Sequence, residues 1–320
     1  MGSGHMGSGP MGSGPMGSGH SHEVTATGAH RRRLVVVLVI TCAVLIAEVV
    51  GGLIAGSLAL LAEAGHVLTD STGLVLALIA ASLATRAATE KRTFGLQRAE
   101  VLAALGNALL LVGVAVWVLI MAVDRLRSNP VEIDSSLMLV VAIVGALANL
   151  ASLLVLRPAQ AKSLNMRGAY VEVLGDLIGS VAVIVAAVLI LITGWTPFDA
   201  IASLAIVVLI IPRAWSLLRE VVDVLLEATP RGVDLTEVRD HMKRVGGVVD
   251  VHDLHAWTIT SGVPVVSAHV IVDHACINEG RSGEVLDRLG ECLGGHFDVS
   301  HCTFQLEPMG HQEHEAAHHP

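Results

Sequence analysis

His66 and Asp70 lie inside an apolar run over residues 58–84. That run is long enough to cross a bilayer, which takes roughly 20 mainly apolar residues. A four-residue spacing puts both side chains on one helix face, one turn apart. An imidazole and a carboxylate at bilayer depth are costly, and such groups face a partner or a water-filled path. A second apolar run, residues 169–193, carries Glu172 and Asp176 at the same spacing. Two membrane helices, each offering a pair of ligating side chains, can close around one divalent cation. The competing explanation is interhelical hydrogen bonding, which also holds membrane helices together. Four ionisable residues on two helices are too expensive for that role alone.

The composition agrees with a membrane protein. Charged residues are 15% of the chain and mean hydropathy is +0.67, against roughly 25% charged residues in a soluble domain. Six spans are expected, at about 34–54, 58–84, 99–123, 136–156, 169–193 and 199–218. Basic residues cluster on one side of these spans: Arg31 to Arg33, then Arg86, Lys91, Arg92 and Arg98, then Arg157, Lys162 and Arg167, then Arg213 and Arg219. The other side has only Arg125 and Arg127, offset by Asp124, Glu132 and Asp134. By the positive-inside rule both termini are expected in the cytoplasm. The net charge of −9 and the lack of a basic stripe give no reason to expect a nucleic-acid partner.

Four domains are expected: a flexible tail (1–32), a six-helix transport bundle (33–222), a cytosolic domain (223–308) and a polar, disordered tail (309–320). The first 20 residues repeat the pattern Met-Gly-Ser-Gly-x, without the apolar core of a signal peptide. This stretch is either an appended leader or a native tail holding metal loosely through His5, His20, His22 and His30. The last tail carries His311, His314, His318 and His319. Between residues 235 and 306 the pattern reads helix, strand, strand, helix, strand, a small α+β sandwich with helices on one sheet face. Cys42, Cys276, Cys292 and Cys302 show no CxxC spacing. They are expected as inert thiols rather than disulfides or metal ligands.

Four stretches carry a resemblance. They are Gly56-Ser57-Leu58-Ala59-Leu60-Leu61-Ala62-Glu63-Ala64-Gly65-His66-Val67-Leu68-Thr69-Asp70, Thr93-Phe94-Gly95-Leu96-Gln97-Arg98-Ala99-Glu100-Val101-Leu102, Tyr170-Val171-Glu172-Val173-Leu174-Gly175-Asp176 and Val251-His252-Asp253-Leu254-His255-Ala256-Trp257. Over residues 33–308 the chain resembles the cation diffusion facilitators. The resemblance implies a homodimeric secondary transporter with a ferredoxin-like, metal-binding cytosolic domain. Such a protein exports Zn2+, or Co2+, Cd2+ or Mn2+, in exchange for protons by alternating access. It implies a transport site at His66, Asp70, Glu172 and Asp176. It also implies a regulatory Zn2+ site at His252 and His269, completed by Glu307 and His301. Arg98 and Glu227 fall where some members pair charges between the two halves.

Two positions depart from the family pattern. Glu172 stands where zinc-transporting members have histidine, which makes the site more anionic and shifts preference towards harder metals. Glu63 stands where aspartate is usual, and is read as lying on the route to the site. Glu48, Asn107 and Asn149 are the other polar residues inside spans; the asparagines are read as helix packing and Glu48 as either packing or pathway. The short segment 157–167 lacks a His-rich insertion, which suggests a bacterial inner (plasma) membrane. No nucleophile–base pair or phosphate-binding glycine loop suggests an enzyme. The alternative function is a metal-gated channel or a membrane metal sensor without proton coupling.

Overall fold

The computed structural model describes residues 21–127, 131–158, 164–297, 299 and 301–314. Six long helices come first: α1 (Ser21–Ala55), α2 (Leu58–Ala84), α3 (Ala99–Arg127), α4 (Ser135–Leu156), α5 (Leu164–Thr193) and α6 (Pro197–Leu225). Each contains a stretch apolar and long enough to cross a membrane. The helices close a ring in the order α1, α2, α3, α6, α5, α4, and α2 also meets α5 and α6 across its interior. Large apolar side chains such as Leu53, Ile54, Leu78, Ile192 and Val208 point outward. That is costly in water and neutral in lipid, so the bundle has the surface of a membrane-spanning domain. α1 starts at Ser21, so residues 21–32 are helical instead of tail; residues 1–20, with His5 and His20, lie outside the described residues.

Small residues let the helices approach. A Cβ on Gly65 of α2 would stand 2.7 Å from Val114 Cγ1 of α3. Without hydrophobic drive in lipid, such close van der Waals contact is what associates helices.

One end of the bundle is fixed by a buried carboxylate. Asp199, in the first turn of α6, is fully buried. Its Oδ1 accepts from Ser57 Oγ at 2.6 Å and from the Ala59 amide at 3.1 Å. Its Oδ2 accepts from the Leu58 amide and from Arg125 Nη1, each at 2.8 Å. Arg125, near the end of α3, also donates to the Gly56 carbonyl at 2.9 Å. Gly56 has φ +67°, the left-handed turn that reverses the chain between α1 and α2. Asp199 thus satisfies the orphan amides at the start of α2 and ties α2, α3 and α6 together. At the same end, Asp134 caps α4 and its amide donates to the Ala55 carbonyl at 3.0 Å.

The C-terminal domain holds α7 (Leu235–Lys243), β1 (Val248–Thr258), β2 (Pro264–Val272), α8 (His274–Asn278), α9 (Ser282–Phe297) and β3 (His301–Pro308), then a 3-10 turn at His311–His314. The sheet order is β1-β2-β3, with β1/β2 antiparallel and β2/β3 parallel. Val238 and Met242 of α7 and Val285, Leu289 and Leu293 of α9 pack on one sheet face. The sequence pattern missed α8, whose five residues are too few to show a period; Asp273 caps it at the Cys276 amide. The C-terminal tail is ordered into the turn as far as His314; His318 and His319 fall outside the described residues.

The two halves meet at defined contacts. Arg98 Nη2 lies 2.8 Å from Glu227 Oε1, so the charge pair suggested by the resemblance is formed. Glu227 adopts φ +57° directly after α6, a left-handed helix ending held by a residue other than glycine. Thr260 Oγ1 donates to Glu100 Oε2 at 2.6 Å.

Removing the Asp199 carboxylate strands Arg125 and the α2 amides. Asp199→Ala should cost about 3–5 kcal/mol, as breaking a buried pair does. Asp134→Ala, at an exposed cap, should cost about 1 kcal/mol. Thermal unfolding of both purified variants in detergent checks the contrast.

Candidate metal centres

The first centre is inside the bundle. Helical spacing places His66 and Asp70 on one face of α2, and α5 brings Asp176 opposite them. His66 Nε2 stands 3.7 Å from Asp70 Oδ2 and 3.8 Å from Asp176 Oδ1. One ligand atom from each of the three lies within 4.8 Å of the others. Among the described residues, His66 Nδ1 and Asp176 Oδ1 find no hydrogen-bond partner. Buried polar atoms are normally satisfied, and a cation held between these groups would satisfy Asp176 Oδ1 and meet His66 through Nε2. Glu172 is not in this group of three. It stands one turn along α5, half-exposed, with its Oε1 3.6 Å from Arg213 Nη2. The centre opens into a cavity of about 730 Å³ lined by His66, Arg167, Glu172, Gly175, Ile210 and Arg213, among others.

Further polar groups continue from the centre. Ser180 Oγ donates to the Asp176 carbonyl at 2.9 Å and accepts from Asn149 Nδ2 at 3.3 Å, so Asn149 braces α5 from α4. Asn107 packs its amide where a Cβ on Gly73 would be. Glu63 and Glu48 are both buried, and neither oxygen of Glu63 has a hydrogen-bond partner among the described residues. The Glu63 carboxylate occupies the space that a Cβ on Gly179 would need, and Glu48 Oε1 is 3.0 Å from where a Cβ on Gly145 would be. Glycine at 179 thus makes room for Glu63 on α5, and glycine at 145 gives Glu48 a close seat on α4.

The second centre is on the open face of the sheet. His252 of β1 pairs with His269 of β2, and a bulge follows, with Asp253 at φ +47°. The extra residue lets Leu254 turn into the core while His252 stays on the open face. In the parallel pair, Ile271 is opposite Glu307, which puts the buried Glu307 carboxylate beside both histidines. Glu307 Oε2 is 3.0 Å from His252 Nε2, and Oε1 is 2.7 Å from His269 Nδ1. Gln305 Nε2 donates to Glu307 Oε1 at 2.9 Å. Burial pushes the Glu307 pKa up, but the hydrogen bonds from His252 and Gln305 and the two imidazoles outweigh it. The net value lies below that of an ordinary glutamate, so the group is a carboxylate at neutral pH and ready to ligate. His301 is not brought here. It opens β3 opposite Val265, and its ring meets Phe94 edge-on at 5.5 Å. His255 pairs with Asp253 at 2.9 Å.

Arg213 is a neighbour of this centre that the sequence reading does not single out. Counted by the positive-inside rule it is a cytoplasmic charge, although the expected span 199–218 encloses it. An arginine inside an apolar run, directly after Pro212, was the available signal.

Residues 34–226 match the cation efflux transmembrane domain, and residues 230–309 match the cytoplasmic domain of cation efflux proteins. The chain belongs to the cation diffusion facilitator family. It is a multi-pass membrane protein of the cation efflux class. It is 45% identical over 300 residues to the metal cation efflux system protein CzcD of Cupriavidus metallidurans, covering 94% of this chain and 93% of that one. It is 38% identical to the zinc transporter ZitB of Escherichia coli, covering 90% and 92% of the two chains. It is 34% identical to the cadmium, cobalt and zinc/H(+)-K(+) antiporter of Bacillus subtilis, covering 93% and 94%.

The Glu63–Gly179 contact is specific enough to test. Gly179→Ala should destabilise the bundle by about 1–3 kcal/mol through overpacking. Gly113→Ala, where a Cβ meets nothing within 4 Å, should be neutral or slightly stabilising. Melting of the two detergent-solubilised variants distinguishes them.

Proposed function

We propose that this cation diffusion facilitator exports a divalent metal, zinc first among Zn2+, Co2+, Cd2+ and Mn2+, from the cytoplasm in exchange for protons. The observation that carries the reading is the convergence of His66, Asp70 and Asp176 within 4.8 Å inside the bundle, beside a cavity that reaches them. Glu172 supplies the fourth ligand once its carboxylate turns in from Arg213. One imidazole and three carboxylates suit zinc, and the added oxygen ligands leave room for manganese and cobalt. Relatives named as zinc transporters and as a cadmium, cobalt and zinc antiporter support the metal class.

Metal binding requires deprotonated ligands, and carboxylates crowded around one site do not all ionise without a cation between them. Binding from the cytoplasmic side therefore releases protons, and protons arriving from outside displace the metal. Alternating access of the bundle separates the two events. Both termini face the cytoplasm of a bacterial inner membrane, as the loop charges favour.

The cytosolic cluster His252, His269 and Glu307 is the proposed regulatory site. Two imidazoles and one carboxylate form a zinc donor set with a fourth position open. Metal there would stiffen the open face of the sheet, where we place the contact between two copies of the chain.

Three measurements check these readings. In proteoliposomes, an imposed proton gradient should accelerate Zn2+ transport, and Asp70→Asn or Asp176→Asn should abolish it. Equal rates with and without the gradient, at one metal gradient, would overturn antiport. Glu172→His should shift preference towards Zn2+ over Mn2+; an unchanged ranking would show that Glu172 does not select the metal. Glu307→Gln should weaken Zn2+ binding at the cytosolic cluster by at least about tenfold, read by calorimetry.

A further inference from the structure

Arg213 reaches the transport centre from a third helix. Its Nη1 donates to Asp70 Oδ2 at 2.9 Å, and its Nη2 lies 3.6 Å from Glu172 Oε1. Asp70 Oδ2 is also the oxygen that stands 3.7 Å from His66 Nε2. The guanidinium therefore holds the carboxylate oxygen that faces the imidazole. It does so from the wall of the cavity, with 45% of its side chain exposed, so it has room to withdraw. It follows Pro212, which has no amide to donate to the carbonyl one turn back, so α6 is weakened next to it. A metal held by Asp70 Oδ2 would face a fixed positive charge at contact distance, and like charges repel strongly where water is scarce.

We propose that Arg213 is a built-in counter-cation of the transport site. It holds Asp70 and Glu172 together when no metal is bound, and it yields Asp70 to an incoming divalent ion. This inference rests on reading His66, Asp70 and Asp176 as the transport site. It has two consequences. Only an ion of higher charge recovers enough Coulombic energy to displace the guanidinium, so monovalent cations are rejected. The guanidinium also returns as metal leaves, which limits affinity and speeds release.

The test is metal transport and binding by the full-length protein, using Cd2+ as the probe, in native, Arg213→Gln, Arg213→Lys and Asp70→Asn forms. Each binding measurement is repeated with Glu307→Gln added, so that binding at the cytosolic cluster is told apart from binding at the transport site. Arg213→Gln should lower the KM for Cd2+ by about tenfold while also lowering the maximal rate, because the site binds more tightly and releases more slowly. A structural defect would lower the rate without lowering KM. Arg213→Lys keeps the charge but loses the fork, so its KM should fall by less, and it carries the test if the glutamine variant does not fold. Unchanged or raised KM in the variants, with Asp70→Asn inactive, would overturn the role of Arg213 alone. Full activity and native Cd2+ binding in Asp70→Asn would overturn the transport-site reading, and this inference with it.

Discussion

Asp199 is the point on which the membrane half depends. A carboxylate buried in a bundle is tolerable only when its lone pairs are filled and a positive charge is near. Asp199 meets both conditions with one hydroxyl, two amides and a guanidinium. The partners come from the α1–α2 turn, the start of α2 and the end of α3, so one side chain sets where α2 begins relative to α3 and α6. Helix rotation follows from that anchor. If α2 were wound differently at its start, His66 and Asp70, more than two turns further on, would face another neighbour.

The interior of the bundle is built on the opposite principle. Around His66 and Asp176 the polar atoms are left short of partners, and Glu63 has none among the described residues. One end of the bundle is a saturated network, while the polar atoms within it are left short of partners. Glycine makes the second arrangement physically possible, since Gly179 and Gly145 leave the volume that Glu63 and Glu48 occupy.

Much of this was legible in the sequence because its signals are strong. A run of 20 or more apolar residues has few alternatives to a span, and i,i+4 spacing fixes a shared face. All six spans and the shared face of His66 and Asp70 follow from those rules. Less legible was anything set by distant pairing. Arg125 and Asp199 are 74 residues apart, and nothing local marks them as partners. Arg213 was counted as a loop charge because the positive-inside rule treats arginines near helix ends alike. His301 was grouped with the cytosolic ligands by its strand, but parallel register with β2 sets it opposite Val265, four positions from the residue that faces His269. The start of α1 was misjudged because a Gly- and His-containing polar segment carries no apolar period even when it is helical.

The bulge at Asp253 has a consequence for how this domain can vary. His252 and His255 are three residues apart, while their partners His269 and Ser267 are two apart. The additional residue is what keeps His252 and Leu254 on opposite faces. Deleting any one residue between them would turn the segment before the bulge over, burying the imidazole and exposing Val251. The loss of one codon there would remove His252 from the open face and Val251 from the core at once. Point changes at the exposed Asp253 would spare both, provided the new side chain accepts a left-handed backbone. In this strand the length of the chain, and not only the identity of its side chains, decides whether His252 faces Glu307.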